Sequence, residues 1–196
     1  MDYIDTITND LDQVIITEIA KYGMPTLEDY NDIADIAVKI AKQLNADASI
    51  VKLGSKLMHA KLGEAIVQKK VHEHTNMALG FALDFFKNYP INDVIKNKVL
   101  ACIREHQDKQ FSCKEAEICA NSHCYSYLLP RKILKMFYNL KNEGYNFDEI
   151  LLLAEEKVEE KWNALTLDIC KKELENNYKK IKEFLELAKS NTQREF

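Results

Sequence analysis

Glycine and proline are scarce in this chain, with 5 and 3 copies in 196 residues. Rossmann-type and all-β folds need turn residues at nearly every connection, so that scarcity argues against both. Basic excess is also missing: the formal charge of −4 argues against a general nucleic-acid binder, whose affinity comes largely from Lys and Arg on phosphates. Local basic strips such as Lys132 and Lys135, or Lys179, Lys180 and Lys182, are read as solvated helix faces. No stretch reaches the roughly 18 unbroken apolar residues of a membrane span. The opening Met1-Asp2-Tyr3-Ile4-Asp5 lacks the basic-then-apolar order of a signal peptide, so the expected location is cytoplasmic. The five cysteines (102, 113, 119, 124 and 170) are odd in number and form no CxxC pair, which speaks against a disulfide framework.

What is present is apolar periodicity near 3.6 residues. Ile4, Ile7, Leu11, Val14, Ile15 and Ile19 mark a helix over 3–22, ended by Gly23 and Pro25. Thr26, with Asp29 three residues on, is a capping-box pattern opening a helix over 28–44 with Ile33, Ile36, Ala37, Ile40, Ala41 and Leu44 on its buried stripe. Asp47 or Ser49 caps the next helix, expected to run to His59 with a break at Gly63. Further helices are expected over 70–87, 94–106, 113–127 and 131–142. Asn146 caps a final region, 147–188, that reads as one long helix or two. The expected architecture is all-α: an N-terminal helix (1–25), a helical core (26–142) and C-terminal helices (146–189) packed on the same domain.

Four of the five histidines, His59, His74, His106 and His123, fall at intervals a metal site can use; the first three lie near helix ends and the fourth closes the segment Glu115–His123. His72 is two residues from His74, faces elsewhere and is read as surface. Cys119 lies one helical turn before His123 and offers a mixed Cys–His alternative, against its reading as a core thiol. Each histidine also has a bland reading as a helix-end residue that satisfies the dipole. Tyr125, Tyr127, Phe137 and Tyr138 are read as packing first and as a base-stacking wall second.

The order and spacing of these segments resemble the HD superfamily of metal-dependent phosphohydrolases, over about residues 26–142. The segment Leu57-Met58-His59-Ala60 is similar to the family's His-Asp doublet after an apolar run. The segment His74-Thr75-Asn76-Met77-Ala78 is similar to its next helix, and Ile103-Arg104-Glu105-His106 to the one after. The stretch Glu115 to His123, with Asn121, resembles the last ligand segment. The resemblance implies an HD-like helical bundle with His59, His74, His106 and His123 as metal ligands. At such a site Glu64 or Glu73 are the candidates for general base or supporting group; with no phosphate-cradling Gly loop or Arg cluster in view, Lys61, Arg104 and Arg131 are the nearest candidate phosphate contacts. The expected cofactor is a divalent transition metal (Zn, Fe, Mn or Ni), and the expected substrate a nucleotide or small phosphate ester. The alternative is a catalytically inactive HD-like domain kept for ligand sensing or protein association; a homodimer is compatible with either.

The sequence departs from the family pattern at three points. Ala60 replaces the doublet's Asp, His123 stands for the late Asp, and the first His has only Asp29, Asp32 or Asp35 as substitutes. Aligning back from Gly63 moves the doublet one place, to Ala60-Lys61, which on a helix turns His59 by roughly 100°.

Overall fold

The computed structural model describes residues 3–190; the first two residues of the expected 1–25 segment lie outside them. These residues form ten α-helices and two single 3₁₀ turns, and no strand is present among them. The chain is all-α. By packing it separates into two units, one up to His123 and one from Cys124 onward.

In the first unit, α1 (Tyr3–Tyr22) buries Ile4, Ile7, Leu11 and Ile15 on one face. Helix α2 (Leu27–Leu44) opens with the expected capping box. Thr26 accepts from the Asp29 N–H, and the Asp29 carboxylate accepts from the Thr26 N–H at 3.0 Å. Asp29 is thereby engaged, while Asp32 and Asp35 are exposed. Asp47, rather than Ser49, caps α3 (Ala48–Leu57) by accepting from the N–H groups of Ser49 and Ile50. This central helix buries Ile50, Val51, Leu53 and Leu57 and packs on α1, α2 and α6 (Asp93–Arg104). Removing four such side chains from water contributes roughly 1.5–3 kcal/mol each. Close approach to α6 requires Gly54: a Cβ there would stand 2.6 Å from Cys102 Cβ.

Between α3 and α6 the chain differs from the sequence reading. Gly63 does not break a helix; it sits inside a short one, α4 (Leu62–Val67). Its lack of a side chain serves close packing, since a Cβ at Gly63 would lie 2.0 Å from the Met24 carbonyl oxygen. A 3₁₀ turn (Val71–Glu73) leads into α5 (His74–Phe85), which packs on α4 and α6. Asn92 caps α6, and the loop after it leads to α7 (Lys114–Tyr127), within which the division between units falls.

The second unit holds α8 (Pro130–Asn142), α9 (Phe147–Ala164) and α10 (Asp168–Ser190). Pro130 occupies the first turn of α8, where its missing N–H costs nothing. Asn146 forms a capping box with Glu149. The region after it is two helices, separated where Leu165 turns extended (φ −66°, ψ 125°). Helix α9 packs on both α8 and α10, and Trp162 stacks on Tyr178 with ring centres 4.3 Å apart. No described helix is long and apolar enough to cross a membrane.

Candidate metal centre

Three of the four singled-out histidines bring ligand nitrogens within 4.8 Å of one another: His59, His74 and His106. All are buried, with His106 only 1 % exposed and the other two 5 %. They come from different elements: the turn after α3, the start of α5 and the turn after α6. The fourth, His123 on α7, is also buried, its ring centre 4.9 Å from that of His59 and 5.7 Å from that of His106.

Local folding aims two of these rings. His74 Nδ1 lies 2.7 Å from the Val71 carbonyl oxygen, and His106 Nδ1 lies 2.8 Å from that of Ile103. A carbonyl only accepts, so both Nδ1 atoms carry the proton and donate. In each case the acceptor is three residues back, within the helical turn that leads into the histidine. The two Nε2 atoms then face one another at 3.2 Å. With both rings neutral, two lone pairs point at each other across that gap. The conflict is relieved by one shared proton or by a cation between them.

The spacing fits a cation. Two nitrogens each about 2.0–2.1 Å from one ion stand about 2.9 Å apart at a right angle and about 3.4 Å apart at the tetrahedral angle. The observed 3.2 Å falls between these values. A ring N–H on a backbone carbonyl is also the usual way in which a ligating imidazole is oriented. These three histidines can therefore hold a metal ion, and the chemistry of an all-imidazole set suits Zn²⁺, Fe²⁺ or Ni²⁺.

The other expected site residues have different surroundings. Glu64 pairs with Lys61 at 3.1 Å and accepts from Gln68 Nε2 at 3.0 Å. Lys61 also pairs with Glu18 and lies over the Phe81 ring. Burial works to lower the Lys61 pKa, but Glu64 and Glu18 outweigh it and hold it above the ordinary lysine value. Glu73 is half-exposed, with Lys70 and His72 as ion-pair partners. Ala60 is buried immediately after His59. Among the described residues, the converging ligand group contains no carboxylate and no cysteine. Cys119 instead places its Sγ 3.6 Å from the Val51 carbonyl oxygen, in the core. His72 is at the surface, as its spacing implied. Arg131 is exposed at the start of α8, in the second unit.

Arg104 is exposed at the edge of a cleft of about 680 Å³, shared with Lys109, Phe111 and Asp108. The loop that forms it is tied at its ends: buried Glu105 accepts from both the N–H and the hydroxyl of Ser112, each at 2.7 Å. Lys109 and Phe111 were not anticipated, and the signal for them was the polar loop directly following His106. The late segment is equally ordered, with Asn121 Nδ2 donating to the Glu117 carbonyl and Ser122 Oγ to that of Cys119.

Fold and site together define an all-α protein with a buried three-histidine candidate metal centre. Comparison with protein-family models, with curated proteins and with solved structures finds no match.

Proposed function

We propose that the first unit is a metal-dependent phosphohydrolase of HD type, acting on a nucleotide or other small phosphate ester. The observation that carries this reading is the convergence of His59, His74 and His106, with two Nε2 atoms at 3.2 Å and their Nδ1 atoms anchored on carbonyls. The nitrogen-only set selects Zn²⁺, Fe²⁺ or Ni²⁺ ahead of Mn²⁺ or Mg²⁺, which prefer carboxylate oxygens. An ion held there supplies Lewis acidity and acidifies water. The chain's own side chains do the rest. Arg104 and Lys109 stand in the cleft beside the His106 turn as phosphate contacts, with Glu105 and Asp108 of opposite charge beside them, and Phe111 offers an apolar face. His123 contributes a further nitrogen next to His59. Glu64 handles a proton only by leaving its pairing with Lys61.

A second reading has its own support. The resemblance calls for Asp at position 60, and the buried residue there is Ala. Glu64 and Glu73 are both spent on ion pairs. Those facts favour an HD-like domain that binds its ion without turnover and serves ligand sensing or protein association.

Elemental analysis of the purified, untagged protein separates the readings, followed by hydrolysis assays with p-nitrophenyl phosphate and nucleoside monophosphates. Near-stoichiometric metal and a phosphatase activity that both disappear in His74→Ala support the first. Bound metal with no turnover on any phosphate ester supports the second. A metal-free protein that takes up neither Zn²⁺ nor Fe²⁺ overturns both.

A further inference from the structure

His59 is tied down through its main chain. It lies two residues beyond the end of α3, where helical register no longer dictates where a side chain points. Its own carbonyl oxygen accepts two hydrogen bonds. One comes from the Leu62 N–H at 2.9 Å, at the start of α4. The other comes from the Tyr30 hydroxyl on α2, at 2.7 Å. Tyr30 is 29 residues away in sequence and only 2 % exposed, so this bond is made in the core, away from competing water. Two donors on one carbonyl restrain the plane of the peptide that follows His59, and with it the backbone from which the imidazole departs. Ligand sets of this kind tolerate errors of only about 10–20°.

We infer that Tyr30 is the positioning residue of the metal centre: through the main chain of His59 it sets the third imidazole against the locally anchored pair. This rests on the metal reading given above. It differs from the anchoring of His74 and His106 in being long-range, so it couples the α2–α3 packing to the geometry of the site.

Titration with Co²⁺, a spectroscopic stand-in for Zn²⁺, tests the inference in wild type, Tyr30→Phe and Tyr89→Phe. The last is a matched control: it deletes a phenol hydroxyl that donates to Asp10 at 2.8 Å elsewhere in the same unit. Tyr30→Phe keeps the aromatic ring and its packing. It is expected to bind Co²⁺ about 10- to 100-fold more weakly, the usual cost of removing a group that orients a ligand. The visible absorption bands of the bound ion should change with it. Tyr89→Phe should match wild type in both respects. Once His59 is Ala, the Tyr30 change should cost nothing further, because its lever is gone. Equal affinity and spectra in Tyr30→Phe and wild type overturn the inference alone, as does an additive loss in the double variant. A wild-type protein that takes up no Co²⁺ overturns the metal reading and this inference with it.

Discussion

Consider His106→Ala, followed by thermal melting with and without Zn²⁺. His106 is 1 % exposed, donates to the Ile103 carbonyl at 2.8 Å and faces His74 at 3.2 Å. In metal-free protein the substitution removes one buried ring and one hydrogen bond, a loss of about 1–3 kcal/mol. The Zn²⁺ response behaves differently. Free Zn²⁺ at 100 times Kd stabilises the wild-type fold by about 2.7 kcal/mol through mass action. At about 2–4 °C per kcal/mol for a chain of this size, Tm rises by about 5–11 °C.

A ligand counts for at least as much as the groups that orient it, so its loss weakens affinity about 100-fold or more. The same Zn²⁺ then supplies about 0.4 kcal/mol or less, which moves Tm by under about 2 °C. Differential scanning fluorimetry, with chelator-treated protein as the zero, reads both numbers. A core histidine predicts a lower Tm in the variant and no Zn²⁺ response in either protein. Equal Zn²⁺ shifts in wild type and His106→Ala refute the assignment of His106 as a ligand.

Further expectations follow from individual residues. Ala60→Asp puts a carboxylate at a buried position, so metal-free protein should melt lower. If residue 60 faces the ion, Mn²⁺ should recover that loss in a fluorimetry melt; no Mn²⁺ effect means it points elsewhere. Gly63→Ala drives a Cβ to 2.0 Å from the Met24 carbonyl oxygen and should cost about 1–3 kcal/mol or more, whereas Gly80→Ala, with nothing within 4 Å, should be neutral or stabilising in urea unfolding. Burial works to raise the Glu115 pKa, but Lys98 at 2.9 Å and backbone N–H groups hold it below the ordinary carboxylate value. That contribution is present above the unfolded-state pKa and lost as pH falls through the folded value, so Lys98→Met should move the acid-unfolding midpoint to higher pH. Burial pushes the Cys124 thiol up to about 11, and Cys102, Cys119 and Cys170 are buried; a thiol reagent at pH 8 should modify half-buried Cys113 first in native protein.

The helices were legible because their signals are local. Thr26 with Asp29, and Asn146, each cap where the sequence says a helix starts, and the Ile33–Ala37–Ile40–Ala41 stripe is buried as its spacing requires. The boundary between α9 and α10 was not legible, since Leu165, Thr166 and Leu167 contain neither Gly nor Pro. Gly63 misled because a glycine chosen for close approach to Met24 looks, in sequence, like one chosen to end a helix. At the site, the order of the histidines was readable, and three of the four converge as a ligand group with the fourth alongside. The means of convergence was not. Whether His59 or Ala60 occupies the doublet position was framed as a helical register, yet α3 ends at Leu57 and both residues lie in a turn. A contact from Tyr30, far away in sequence, leaves no periodic trace.

Burial of the histidines bears on the choice between turnover and binding alone. Four imidazoles at 1–6 % exposure are a local cost that apolar residues of similar size would not carry, because each buried ring nitrogen must be matched by a partner. His74 and His106 sharpen that cost by aiming Nε2 at Nε2, an arrangement that a bound ion turns from repulsion into coordination. A bare ion needs only a narrow path to reach such a place, whereas a phosphate ester needs an opening the size of its headgroup. The cleft at Arg104–Ser112 is that size and adjoins the His106 turn in sequence, and the Glu105–Ser112 hydrogen bonds clasp the ends of the loop that forms it. If that loop gates the centre, releasing this clasp admits a phosphate ester, whereas a bare ion has no need of it. Glu105→Gln weakens the clasp without touching a ligand, so it should speed hydrolysis or chelator access in an enzyme whose loop gates the site. It should leave ion exchange unchanged in a domain that only holds its metal.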